Sequence, residues 1–177
     1  MKKYVGICLI LALLLTLAGC GAGDPLETWP ISYSNSMGCY VRDYANVDEM
    51  LEKEHIIIRG KAVSLVEERE MGAILELEVM ASTLQGTETI RILQSKDPRV
   101  VLKKGEEVVL ILFPTSEEGL WCIPNGNLGA FRVDQESKTV YCPRLDSLLE
   151  SVPQTYSAKK LTLEQVYDLL VELDNNG

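Results

Sequence analysis

Between His55 and Cys142 the chain repeats one pattern: a short run of β-branched or alternating apolar residues, then a turn signal. His55-Ile56-Ile57-Ile58-Arg59-Gly60-Lys61-Ala62-Val63 is the first run, with Gly60 placed where a sheet bulges or curls. A charged turn follows, from Glu67 to Glu70 and then Gly72. Leu75, Leu77, Val79 and Ala81 next alternate with Glu76, Glu78 and Met80, which predicts a strand with one wet face. Gln85-Gly86 turns the chain into Thr89 to Leu93, with Ile90 and Ile92 facing inward beside Arg91. Lys103-Lys104-Gly105-Glu106 turns it again into Glu107 to Phe113, nearly all apolar and so a buried central strand. Leu120 to Ile123, Ala130 to Val133 and Thr139 to Cys142 read as a closing meander.

Short strands in such a row belong to an all-β sandwich or a small barrel. A long bent first strand followed by two meandering strands is how a five-stranded OB-like barrel starts. The expected fold is therefore mainly β, a small OB-like barrel of five to seven strands. A short helix precedes it, with Asn46 as cap and Val47, Met50 and Leu51 at helical spacing. A second helix ends the chain. Thr162-Leu163-Glu164-Gln165 fits a capping box, and Val166, Tyr167, Leu170 and Leu173 give one apolar face. An isolated helix of that length is marginal in water, so it is expected to dock on the barrel.

The start of the chain has a different logic. Lys2 and Lys3 precede an almost unbroken apolar run from Val5 to Leu17. A bilayer span needs about 20 apolar residues, so this run is short for one. A charged start, a short apolar core and small residues at its end mark a secretory signal. Leu17-Ala18-Gly19-Cys20 resembles the lipobox of bacterial lipoproteins, an aliphatic residue, two small residues and a cysteine. The resemblance implies that the Cys20 thiol takes a diacylglyceryl group, with acyl chains such as palmitate, and that residues 1–19 are then cut away. The alternative is an ordinary signal peptide or membrane anchor with Cys20 there by chance. Two acyl chains hold a protein durably without a polybasic patch. The expected place is the extracytoplasmic side of the cell membrane.

Three regions follow from this reading: a signal peptide at 1–19, a lipid-anchored tether and irregular segment at 20–45, and a barrel with its C-terminal helix at 46–177. Loss of Lys2 and Lys3 moves the formal net charge from −9 to −11. Such a domain is repelled by nucleic acid and by anionic lipid head groups and polymers. Beyond the lipid-bearing Cys20, Cys39, Cys122 and Cys142 remain, an odd number that leaves at least one outside any intrachain disulfide.

The sequence "IIIRGKAVSL … ILELEVMASTLQG … IRILQ … LKKGEEVVLIL … NLGAFRVD … KTVY" also resembles a group of small Gram-positive lipoproteins and secreted domains. It does so from His55 to Tyr141. The resemblance implies an OB-like barrel and an envelope location; it assigns no function.

The usual chemistries find no purchase. His55 is the single histidine, too few for a His-rich zinc site, and no Cys-x-x-Cys occurs. No Gly-x-Ser-x-Gly elbow accompanies a serine, and Gly126-Asn127-Leu128-Gly129 lacks the Lys and the helix of a phosphate loop. No cofactor is expected. OB barrels that bind nucleic acid use aromatics on their second and third strands, and these strands have none. Trp29, Tyr33, Tyr40 and Tyr44 instead cluster in the N-terminal segment, either packed onto the barrel or exposed as a recognition surface. The expected role is a non-enzymatic module binding an envelope protein or ligand. An envelope hydrolase with an unrecognised site, or an accessory or inhibitory subunit of a neighbouring membrane protein, is the alternative.

Overall fold

A computed structural model describes residues 26–33, 44–124, 127–134, 136–142, 148 and 161–177. Helix α1 (Val47–Leu51) leads into β1 (Ile56–Glu68), β2 (Ala73–Ser82), β3 (Thr89–Gln94), β4 (Glu107–Pro114), β5 (Leu120–Cys122), β6 (Ala130–Val133) and β7 (Val140–Tyr141), and α2 (Leu163–Asn176) ends the chain. The strands run in the order β1-β2-β3-β5-β4-β6-β7, and β1 also pairs with β4. Five strands therefore close into a barrel, with β6 and β7 added outside the ring. Every pairing is antiparallel except β3 with β5, which is parallel through Ile92 and Trp121. The fold is the mainly-β, OB-like barrel that the strand pattern predicts.

The closing strands differ from a meander. β1 holds one edge of β4 from Lys61–Glu107 to Ile56–Leu112. The other edge is shared, Val108 to Leu110 by β6 and Phe113 to Pro114 by β5. β5 does not pair with β6, because β3 draws it into the ring.

Two apolar cores explain the strand compositions. Ile56, Ile58, Ala62, Leu75, Leu77, Ile90, Ile92, Val108, Leu110 and Leu112 fill the barrel. Ile57, Val109, Ile111 and Phe113 point the other way and are buried against α1 and α2. β1 and β4 thus lose water on both faces, which is why they read as unbroken apolar runs. β2 is covered on one face, so Glu76 and Glu78 alternate with its buried residues.

β1 bends to serve the barrel. Its register against β2 shifts at Arg59/Gly60, Ala62/Ser64 and Leu65/Glu67. Gly60 is needed there, since a Cβ would stand 2.8 Å from the Glu78 carbonyl oxygen. Each bulge adds local twist, so one strand can pair with β4 first and lean over β2 later.

The helices cap as their sequences require. Asn46 accepts from the Glu49 amide at 2.8 Å. Thr162 and Gln165 exchange bonds of 3.2 and 2.9 Å in a full capping box. α2 buries Leu163, Val166, Leu169 and Leu170. Tyr167 and Leu173 lie at the margin of this face, and burial pushes the Tyr167 phenol above its ordinary pKa.

The packed unit also reaches further towards the N-terminus than residue 46. Trp29 and Ile31 belong to the barrel core. Glu27 bridges Lys104, and the Lys104 amide donates to the Glu27 carbonyl at 3.0 Å.

Candidate functional site

The most chemically dense part of the molecule is the barrel end where β3 leaves and β4 enters. Four consecutive polar residues, Gln94, Ser95, Lys96 and Asp97, are buried there. Burial of such groups is tolerable only when they are paired. Lys96 reaches Glu68 at 3.1 Å. Glu68 also accepts from the Ser32 amide at 3.0 Å. That amide, then Lys96, holds the Glu68 carboxyl below its usual pKa. Asp97 is bonded by the Arg99 guanidinium and amide, which lower its pKa to about 2.

Arg132 closes the same end. Its Nε and Nη2 meet the two Glu106 carboxylate oxygens at 2.6 and 2.8 Å. Its Nη1 donates to the Val100 carbonyl at 3.0 Å, and Glu106 accepts from the Lys103 amide at 2.8 Å. The pair is buried and its hydrogen bonds pin the 100–106 turn. Gln94 is the exception: its Oε1 accepts from the Leu102 amide at 3.3 Å, while its Nε2 has no partner.

Trp29 covers this end. Its side chain is 5% exposed, and its indole Nε1 donates to the Leu102 carbonyl at 2.6 Å. Tyr33 is 37% exposed, its hydroxyl donating to the Trp29 carbonyl at 3.1 Å. Tyr44 is buried elsewhere, packed edge-on to Phe113 with centroids 5.4 Å apart. Of the N-terminal aromatics, Trp29 and Tyr44 thus pack onto the barrel rather than forming an exposed surface, and the structure does not bring them together. Tyr40 lies outside the described residues, as do Cys20 and Cys39.

A second feature joins two loops. Arg69, in the β1–β2 turn, meets Glu67 at 3.0 Å and Glu117, in the β4–β5 loop, at 2.9 Å. Arg69 holds the Glu117 carboxyl below its ordinary pKa. Nearer the other end lies an open groove of about 530 Å³ lined by Val63, Glu78, Val79, Thr87, Glu88 and Thr89. Its two carboxylates give it a negative wall.

His55 sits at the start of β1, its Nδ1 2.6 Å from the Lys53 carbonyl and its Nε2 3.2 Å from Asp174 on α2. It helps hold the helix end. Cys122 and Cys142 are buried in the outer core, and the Cys142 thiol donates to the Leu128 carbonyl at 3.1 Å. Among the described residues, no group of three or more His, Cys, Asp or Glu is placed to hold a metal ion, and no helix is long and apolar enough to cross a membrane.

Neither a protein-family model nor a curated protein matches this chain. The site must be read from its own residues. The Arg132–Glu106 pair is the part that sequence reading missed. One signal was present: Arg132 shares a face with Ala130 in a short strand, so an inward-facing guanidinium needed a buried acid.

Proposed function

We propose that the chain is a lipid-anchored module of the bacterial envelope, held to the membrane through Cys20 and acting by binding rather than by catalysis. The observation that carries the anchor is Leu17-Ala18-Gly19-Cys20 at the end of a short apolar run behind Lys2 and Lys3. The barrel core includes Trp29, nine positions after Cys20 in the chain. Support for binding comes from exposed, unbranched or branched apolar side chains on two hairpins, Val66 and Met71 on one, Met80 and Leu84 on the other. Methionines adapt to a partner surface at low cost.

Expression of the full chain and mass analysis of the product test the anchor. The expected product begins at Cys20 and carries a diacylglyceryl group. Cys20→Ser should leave an uncleaved precursor without lipid. Normal processing of that variant sinks the reading. Met80→Asp with Leu84→Asp should leave stability and secretion unchanged and abolish recovery of a cross-linked partner; a partner recovered equally well from this variant counts against the surface named here.

A further inference from the structure

We infer that Met71 and Met80 are sites of reversible oxidation, where a peroxide turns each thioether into a sulfoxide and so weakens the apolar surface of the two hairpins. The sites rest on exposure and local geometry. Their effect on a partner rests on the binding surface proposed above.

Both methionines stand where the local structure asks for a polar residue. The Arg69 amide donates to the Gly72 carbonyl at 2.8 Å, and the Gly72 amide to the Arg69 carbonyl at 3.4 Å. Glu70 and Met71 are therefore the two apex residues of the β1–β2 hairpin, a place that favours Gly, Asn and Asp. Arg69 also meets Glu117 at 2.9 Å, so the apex is tied down from outside the hairpin. On β2, Glu76, Glu78 and Met80 take alternate positions, which puts Met80 on the wet face of the strand. Met71 is 54% exposed and Met80 50%, whereas Met50, at 0%, is packed in the outer core. The Cys122 and Cys142 thiols are buried too, so these two thioethers are the exposed sulfur among the described residues.

The chemistry follows from access. A sulfur lone pair takes one oxygen of hydrogen peroxide, the O–O bond breaks, and the other oxygen leaves as water with both protons. Sulfur gives up two electrons and the peroxide accepts them. The product is polar and chiral where the thioether was apolar and pliant. Met71 shares its hairpin with exposed Val66, and Met80 with exposed Leu84. A sulfoxide oxygen pressed against a partner without a donor weakens binding about tenfold, the cost of one unpaired polar group. A dithiol-driven sulfoxide reductase reverses the step, releasing the oxygen as water and leaving the dithiol as a disulfide.

The test treats the full chain, purified in detergent, with hydrogen peroxide and maps oxygen uptake by peptide mass. Met71 and Met80 should each gain one oxygen before Met50 gains any. The peptide with Met37, which lies outside the described residues, is read separately. A photoactivated aryl carbene, which favours apolar surface, should label residues 66–71 and 80–84 before peroxide and label them less afterwards. Sulfoxide reductase with a dithiol should restore the label. Met71→Leu with Met80→Leu conserves volume and should keep its label through peroxide treatment. Uptake at Met50 as early as at the hairpins overturns the inference, and so does labelling that uptake leaves unchanged. Hairpins that take no label even before peroxide overturn the binding surface and the switch with it, while oxygen uptake still decides the sites.

Discussion

Arg132 grips Glu106 with two edges of its guanidinium, at 2.6 and 2.8 Å, in a part of the barrel end from which both side chains are almost wholly excluded from water. The pair is matched in charge, doubly bonded and further bonded to the backbone at Val100 and Lys103. Breaking one partner strands the other charge. Arg132→Met should therefore cost about 3–5 kcal/mol in a denaturant titration. Adding Glu106→Leu should return part of that loss, since two apolar groups of fitting size no longer need each other. A single variant as stable as the native chain would show that the pair is solvated.

Leu170 carries the second expectation. It is fully buried between α2 and the sheet. Leu170→Ala should lower stability by about 2–5 kcal/mol, as truncations in packed cores do. Removal of residues 162–177 should lower the melting temperature as well. An unchanged melting temperature would mean that the helix does not dock in solution.

Trp29 separates two contributions. Trp29→Ala removes both the ring and the bond to Leu102 and should cost about 3–5 kcal/mol. Trp29→Phe keeps most of the apolar contact and leaves the Leu102 carbonyl without its donor, which should cost about 1–3 kcal/mol. If the two variants prove equally destabilised, the hydrogen bond and not the ring closes the barrel end.

Asp97 sets a dependence on pH. Arg99 depresses its pKa in the fold to about 2, below the unfolded value of about 3.9. A depressed carboxyl stabilises the fold above its unfolded pKa, and the contribution disappears as pH falls through the folded one. Glu68 and Glu117 are shifted in the same direction, by the Ser32 amide and by Arg69 respectively. Stability should thus fall between about pH 4 and pH 2. Asp97→Asn should make that fall shallower while lowering stability at neutral pH. A fall of unchanged steepness would place the acid sensitivity in other groups.

How far the sequence carried the fold depends on which side of a strand water reaches. The apolar runs of β1 and β4 announce burial on both faces, and the alternation in β2 announces burial on one. Capping at Asn46 and Thr162 is equally local and equally legible. Barrel closure is not. β5 is Leu120-Trp121-Cys122, too short to say which neighbour it takes, and its parallel partner lies almost thirty residues back in the chain. α2 was legible in kind but turned slightly: Leu163 and Leu169 are buried where Tyr167 and Leu173 were expected. Trp29 was hidden for another reason. The irregular residues around it carry no period, so nothing local distinguishes a plug from a tether.

The same plug decides where strain would go. A pull on the chain before Leu26 meets the isolated Glu27–Lys104 bridge first and the Trp29–Leu102 bond next. These contacts stand in single file, so they would yield one after another, like a peeled strip. The ring of strands behind them, joined by whole ladders, would feel the load only after the indole had left its seat. Tension at the N-terminal end would lift Trp29 from Leu102 and open this end of the barrel before it unfolded the domain.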